Sequence, residues 1–223
     1  MHERKMKGAI FDMDGTILDS NGAWDGCAPA MLAHWGYPAK PTLVADVFPL
    51  GAWDIVRFLK EDYQMSQSPE EIYQFMSDYM LRFYSRQVQM KPGVRELLTH
   101  LKAQGVPLTL ATATVKECVL PALELTGLRE VFDHILTCDD VGHSKDEPHI
   151  FLEAMDKMGT VPENTWLFED AIHAIRTGRS LNLVICAIAD PAGAPDVQEI
   201  REKSDFYLEE WAQWKQIPFA VEK

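Results

Sequence analysis

From Lys91-Pro92-Gly93 onward, amphipathic stretches alternate with short apolar runs, and this alternation constrains the fold more than any other feature of the chain. Val94 to Gln104 is amphipathic and stops at Gly105, and Leu108-Thr109-Leu110-Ala111 follows. Val115 to Leu125 stops at Gly127 ahead of His134-Ile135-Leu136-Thr137. Pro148 to Met158 stops at Gly159 ahead of Trp166-Leu167-Phe168. Ile172 to Arg179 precedes Leu183-Val184-Ile185-Cys186-Ala187, and Phe206-Tyr207-Leu208 suits a last strand. Short apolar strands alternating with amphipathic helices mean right-handed crossovers and a parallel sheet covered on both faces. Lys7-Gly8-Ala9-Ile10-Phe11 reads as a further buried strand of this set, so the chain is predicted to be α/β.

Between that first strand and Lys91 the pattern is different. Apolar and aromatic residues recur at helical spacing: Trp24, Met31, Leu32 and Trp35; then Trp53, Ile55, Val56, Phe58 and Leu59; then Ile72, Phe75, Met76, Tyr79, Met80 and Phe83. Ser68-Pro69-Glu70-Glu71 supplies a cap residue, a first-turn proline and acids at the positive end of the dipole. The stretch is therefore predicted as a helical domain over residues 18–87, inserted into an α/β core formed by residues 1–17 and 88–223.

Composition bounds the partners. Lys+Arg 21 against Asp+Glu 34 gives a net charge of −13, without the basic footprint of a nucleic-acid or anionic-membrane binder. Four cysteines with no CxxC pair fit a reducing compartment, and no apolar run has the length of a signal-peptide core or a membrane span. A cytoplasmic protein is expected, monomeric or weakly dimeric, that contacts neither nucleic acid nor membrane.

In a sheet of this kind ligands gather beyond the carboxyl ends of the strands. Asp12 and Asp14 follow the first strand, Thr112 the second, and Glu169-Asp170 the fourth, while Ser144-Lys145 precedes the helix after the third. Taken singly, each is an ordinary cap, turn or surface residue. Taken together, four carboxylates on one rim would repel one another and raise each other's pKa values, a cost that a divalent cation removes. An oxygen-rich donor set suits magnesium.

Asp12-Met13-Asp14-Gly15-Thr16 resembles the first motif of the haloacid dehalogenase superfamily in its phosphotransferase form. Thr112 within Leu110-Ala111-Thr112-Ala113-Thr114, Lys145 followed by Pro148 and Phe151, and Phe168-Glu169-Asp170 are similar to its second, third and fourth motifs. The likeness spans essentially the whole chain. It implies a Rossmann-like parallel-sheet core with an inserted α-helical cap domain, as in the subgroup of β-phosphoglucomutase and many small-molecule phosphatases. By that resemblance Asp12 is the nucleophile that forms an aspartyl-phosphate, and Asp14 is the general acid and base. Mg2+ is expected on a carboxylate oxygen of Asp12, the main-chain carbonyl of Asp14, and Asp170, with Glu169 bound directly or through water. Thr112 and the N–H groups of Met13 and Ala113 would hold phosphoryl oxygens. Lys145 would supply a second positive centre and keep Asp12 ionised, and Thr16 would brace the loop against a carboxylate.

Three positions depart from the motifs: Asp146 where proline usually follows the lysine, and Ala171 and Ala174 in the fourth motif. None of them is a reacting group. His143, His149 and His173 lie close to the motifs and raise a zinc alternative, but the resemblance needs none of them, and solvated or helix-facing roles are expected. Lys116 is a candidate for substrate contact or a first-turn surface residue. Leu50, Trp53 and Trp24 are candidate lid residues of the cap. The uncharged segment Phe48-Pro49-Leu50-Gly51-Ala52-Trp53 and the presence of Thr16 favour a Mg-dependent phosphatase of a small phosphorylated metabolite over a phosphomutase. A non-catalytic binding or regulatory protein on the same fold is the alternative from a different class.

Overall fold

The structure is a computed structural model in which residues 4–47 and 50–221 are described. In chain order it runs β1 (Arg4–Met6), β2 (Gly8–Phe11) and β3 (Leu18–Asp19), then four helices, α1 (Asn21–Trp35), α2 (Leu43–Val47), α3 (Ala52–Asp62) and α4 (Pro69–Arg86). It continues with β4 (Gln89–Met90), α5 (Val94–Ala103), β5 (Leu108–Thr112), α6 (Lys116–Thr126), β6 (His134–Thr137), α7 (Cys138–Val141) and α8 (His149–Met158). The last elements are β7 (Thr165–Glu169), α9 (Ile172–Ser180), β8 (Val184–Ile188), α10 (Val197–Lys203), β9 (Phe206–Leu208) and β10 (Phe219–Val221).

The chain divides into two compact units, one holding residues up to Asp19 and from Gln89 onward, the other Ser20–Val88. The change falls one or two residues later than sequence periodicity suggests. The physical reason is a short antiparallel ladder, Leu18↔Met90 and Asp19↔Gln89, that ties both crossings of the chain into the first unit. In the second unit α4 starts with a full capping box: the Glu71 N–H donates to Ser68 Oγ at 3.1 Å, and the Ser68 N–H donates to Glu71 Oε2 at 2.7 Å. Among the described residues no helix is long and apolar enough to cross a membrane.

The first unit is built on six parallel strands in the order β6-β5-β2-β7-β8-β9. The earliest strand lies in the middle, the chain winds outward through β5 and β6, and it then returns to β7 on the other side of β2. This is a doubly wound sheet whose order reverses between β2 and β7. Period-two alternation gives each strand two apolar faces. Ile10, Leu167 and Ile185 pack with Ile150, Phe151 and Ile175 of α8 and α9. The intervening Phe11 and Phe168 stack across strands with centroids 4.4 Å apart and planes 2° from parallel. Gly178 of α9 lets helix and sheet approach closely, since a Cβ there would meet Leu167 Cδ2 at 2.6 Å and Ile185 Cδ1 at 3.0 Å.

Several boundaries differ from expectation. Lys7 lies outside β2, Thr112 closes β5 instead of following it, and β7 extends through Glu169. The parallel pair β1–β10 (Arg4↔Phe219 to Met6↔Val221) had no periodic signal, because Arg4 and Lys5 are exposed and charged.

Candidate active site

The reversal point of the sheet carries the acids. Cross-strand register pairs Phe11 with Phe168, and the Asp12 N–H donates to the Phe168 carbonyl at 3.0 Å, so Asp12 and Glu169 emerge side by side. Asp12, Glu169 and Asp170 are all buried, and each offers an oxygen within 4.8 Å of the others. Lys145 reaches in from the segment before α8 and is 3% exposed. Its ammonium donates to Asp12 Oδ1 and, at 2.8 Å, to Glu169 Oε2. The other Glu169 oxygen accepts the N–H groups of Asp170 (3.1 Å) and Ala171 (3.2 Å) at the entry to α9. Thr16 Oγ1 donates to Asp170 Oδ1 at 2.7 Å. The turn that returns Thr16 to the site passes through Gly15 at φ +78°, a conformation that favours glycine.

Three carboxylates around one ammonium leave an excess of negative charge, and the protonation equilibria reflect it. Burial and then Glu169 push the Asp12 carboxyl upward, against the pull of Lys145 and the Met13 N–H. Lys145 opposes this rise without cancelling it, and the Asp12 carboxyl is pushed up to about 6. Asp170 is pushed well above the usual range by burial, Glu169 and Asp12, with the Thr16 hydroxyl opposing. Burial lowers Lys145, but Asp12 and Glu169 more than offset this and raise it. Asp12 Oδ2 is buried and has no hydrogen-bond partner. An orphaned carboxylate oxygen beside two further carboxylates is a donor set that fits a hard divalent cation.

The fourth expected carboxylate stands elsewhere. Asp14 Oδ2 accepts from the Thr114 hydroxyl, and the Thr114 N–H donates to Thr112 Oγ1 at 3.0 Å. The rim thus presents a cluster of three acids with Asp14 held from the β5 side. Thr112 and Met13 are fully buried, and Ala113 between the two threonines is exposed. Lys116 pairs with Asp140 at 2.5 Å on the surface. Within the helical unit Trp24 Nε1 donates to Tyr84 Oη at 2.9 Å, Trp53 stacks on Tyr73 at 4.5 Å, and Leu50 is half-buried. Phe48 and Pro49 lie outside the described residues. His173 is exposed on the first turn of α9, whereas His143 and His149 group with Glu147 instead of the acids.

Sequence reasoning missed three supports. Thr114 was visible only as a second hydroxyl after β5. Lys91 donates to the Gly15 carbonyl and to Asp190 Oδ2 at 2.7 Å, tying the Asp14 turn to the end of β8. Trp211 Nε1 donates to the Thr16 carbonyl at 2.9 Å. Neither Lys91 nor Trp211 carries a local motif.

A doubly wound sheet with a buried acidic cluster at its reversal point defines an α/β protein with a candidate carboxylate site. The family profile of the haloacid dehalogenase-like hydrolases matches residues 9–188, and the chain belongs to that family and is a hydrolase. It is 26% identical over 178 residues to the phosphorylated carbohydrates phosphatase of Thermotoga maritima, covering 80% of this chain and 82% of that one. It is 28% identical over 194 residues to a probable pseudouridine-5'-phosphatase of Drosophila melanogaster, covering 84% of each. In fold it is similar to CbbY from Rhodobacter sphaeroides in complex with xylulose-(1,5)bisphosphate, with TM-score 0.80, 20% identity, and 93% and 96% of the two chains covered.

Proposed function

We propose that the protein is a Mg2+-dependent phosphatase that hydrolyses a small phosphorylated metabolite through an aspartyl-phosphate. The observation that carries the reading is Asp12, a buried carboxylate at the sheet's reversal point with one oxygen on Lys145 and the other without a partner. The names of three relatives, a phosphorylated carbohydrates phosphatase, a probable pseudouridine-5'-phosphatase and a phosphoglycolate phosphatase, support it. In this reading an Asp12 oxygen attacks phosphorus and the ester P–O bond breaks. Asp14 gives its proton to the departing alkoxide, then takes one from the water that cleaves the aspartyl-phosphate and releases inorganic phosphate. Thr112 and the Met13 and Ala113 N–H groups hold phosphoryl oxygens, and Lys145 offsets charge on them. Asp12, Asp170 and the Asp14 carbonyl would hold the ion, which when bound neutralises charge between nucleophile and phosphate. Glu169, with both oxygens engaged, acts through Lys145 and the α9 entry.

We assign residues 18–87 the role of a cap that sets substrate choice, with Leu50, Trp53 and Trp24 as its candidate contacts. The free state of Cys27, Cys118, Cys138 and Cys186 supports a reducing cytoplasm, and a monomer or weak dimer is the assembly proposed. The test is hydrolysis of p-nitrophenyl phosphate and a panel of sugar and nucleoside monophosphates with and without Mg2+. Turnover that needs Mg2+ and is abolished by Asp12→Asn is expected. Absence of turnover across the panel, or activity retained in Asp12→Asn, overturns the proposal.

A further inference from the structure

We propose that His143, Glu147 and His149 form a second metal site, for a divalent transition-metal ion of the zinc class, distinct from the acidic cluster. The three side chains bring one donor atom each within 4.8 Å of one another. His143 Nδ1 lies 3.1 Å from Glu147 Oε1, and His149 Nε2 lies 3.6 Å from Glu147 Oε2. The second separation is beyond a good hydrogen bond, so a proton bridge between ring and carboxylate does not account for it. Ligands about 2.0–2.2 Å from a tetrahedral zinc stand roughly 3.3–3.6 Å apart, and donor atoms that all lie within 4.8 Å of one another need only a small shift to share one ion. The imidazole rings stack with centroids 3.7 Å apart and planes 20° from parallel, so one exposed ring turns about its side-chain bonds to bring both in-plane lone pairs onto one ion.

The donor set fixes the ion's class. Two imidazoles and one carboxylate suit zinc and its neighbours, whereas magnesium prefers oxygen ligands throughout and is served by the Asp12 cluster. The side chains of His143, Glu147 and His149 are 40%, 53% and 46% exposed, so the ion reaches them from solvent and keeps water in its remaining positions. The ligands also bracket a functional segment. His143 follows Gly142, which ends α7 at φ +71°, and His149 opens α8. Between them lies Lys145, whose ammonium joins Asp12 to Glu169. An ion here straps both ends of the segment that delivers that lysine, while touching no residue of the acidic cluster.

The experiment is a Zn2+ titration of the full-length, 15N-labelled protein in millimolar Mg2+, followed by the ring-nitrogen signals of the histidines. Coincident shifts at His143 and His149 that saturate at one ion per chain are expected, with His173 unmoved. His143→Ala and His149→Ala, both surface changes that leave the fold intact, are each expected to weaken binding by more than about tenfold, as loss of a direct ligand should exceed loss of an outer support. Asp170→Asn is expected to leave the titration of the two rings unchanged. Rings that do not respond to Zn2+, or binding that survives both histidine variants and disappears in Asp170→Asn, overturn the proposal. The outcome is independent of whether the protein proves to be a phosphatase.

Discussion

Lys145 donates to two of the three buried acids, Asp12 and Glu169, and Lys145→Met therefore tests the electrostatic core of the site. Methionine fills a similar volume without a charge, so packing is largely kept while Asp12 and Glu169 lose their shared donor. Removing one partner of a buried ion pair costs about 3–5 kcal/mol, because the remaining charge is stranded in a low-dielectric setting. At ~2–4 °C per kcal/mol for a chain of this size, the melting temperature should fall by roughly 6–20 °C. Equilibrium urea unfolding in metal-free buffer, read by tryptophan fluorescence and far-UV circular dichroism together, measures the loss and checks that one transition is followed. Glu169→Gln keeps an acceptor for the Asp170 and Ala171 N–H groups but removes a negative charge. In the Lys145→Met background it should return part of the stability, giving a coupling on the order of 1–3 kcal/mol between the two positions. A Lys145→Met protein within 1 kcal/mol of wild type, or strict additivity in the double variant, would refute the view that this lysine holds the acids together.

The remaining predictions address Thr114, Lys116 and Asp133. Thr114→Val removes the hydroxyl that Asp14 accepts and should lower kcat by roughly 10–100-fold with little change in KM, with Thr114→Ser restoring most of it; an equal loss in both variants would point to a packing defect. Lys116→Ala should leave kcat/KM within about twofold, because Lys116 is committed to Asp140 at the surface, and a tenfold loss would place it at the substrate instead. Partial burial pushes the Asp133 carboxyl up, but the Lys102 ammonium at 2.6 Å and the Leu108 N–H at 2.8 Å hold it below the usual carboxylate value. A depressed folded-state value contributes stability above the unfolded value and loses it as pH falls through the folded one. Asp133→Asn should therefore be less stable than wild type by up to about 1 kcal/mol at neutral pH, allowing for solvent screening of a pair this exposed. The gap should close as the solution is taken below pH ~4 in an acid series of thermal melts; a gap that widens on acidification would contradict the sign of the shift.

What the sequence disclosed about the fold follows from burial. β2, β5, β7 and β8 are covered on both faces, so each is written as a mostly apolar run, and α5, α6 and α8 are each closely followed by a glycine. β1, β3 and β4 escape notice because they are two or three residues long with an exposed residue in each, and no periodicity develops in so short a span. The site divides along a similar line. Asp12, Lys145 and Glu169–Asp170 were legible as residue types because a parallel sheet gathers the ends of its strands on one rim, even across the 133 positions that separate Asp12 from Lys145. Their mutual bonds were not legible, since these depend on how the β2–β7 register and the α8 approach settle together. The motif resemblance implied that Lys145 would serve Asp12. Packing makes it a donor shared with Glu169, and the same packing buries all three acids. Burial, with Glu169, then outweighs the lysine and drives Asp12 upward. Pushed up to about 6, Asp12 still ionises at neutral pH, and more positive charge beside its unpartnered oxygen would keep it ionised at lower pH. In the proposed function a divalent ion would supply that charge through the Asp12 oxygen that Lys145 leaves unpartnered, so the bonds within the cluster support metal dependence beyond the motif that first drew attention to it.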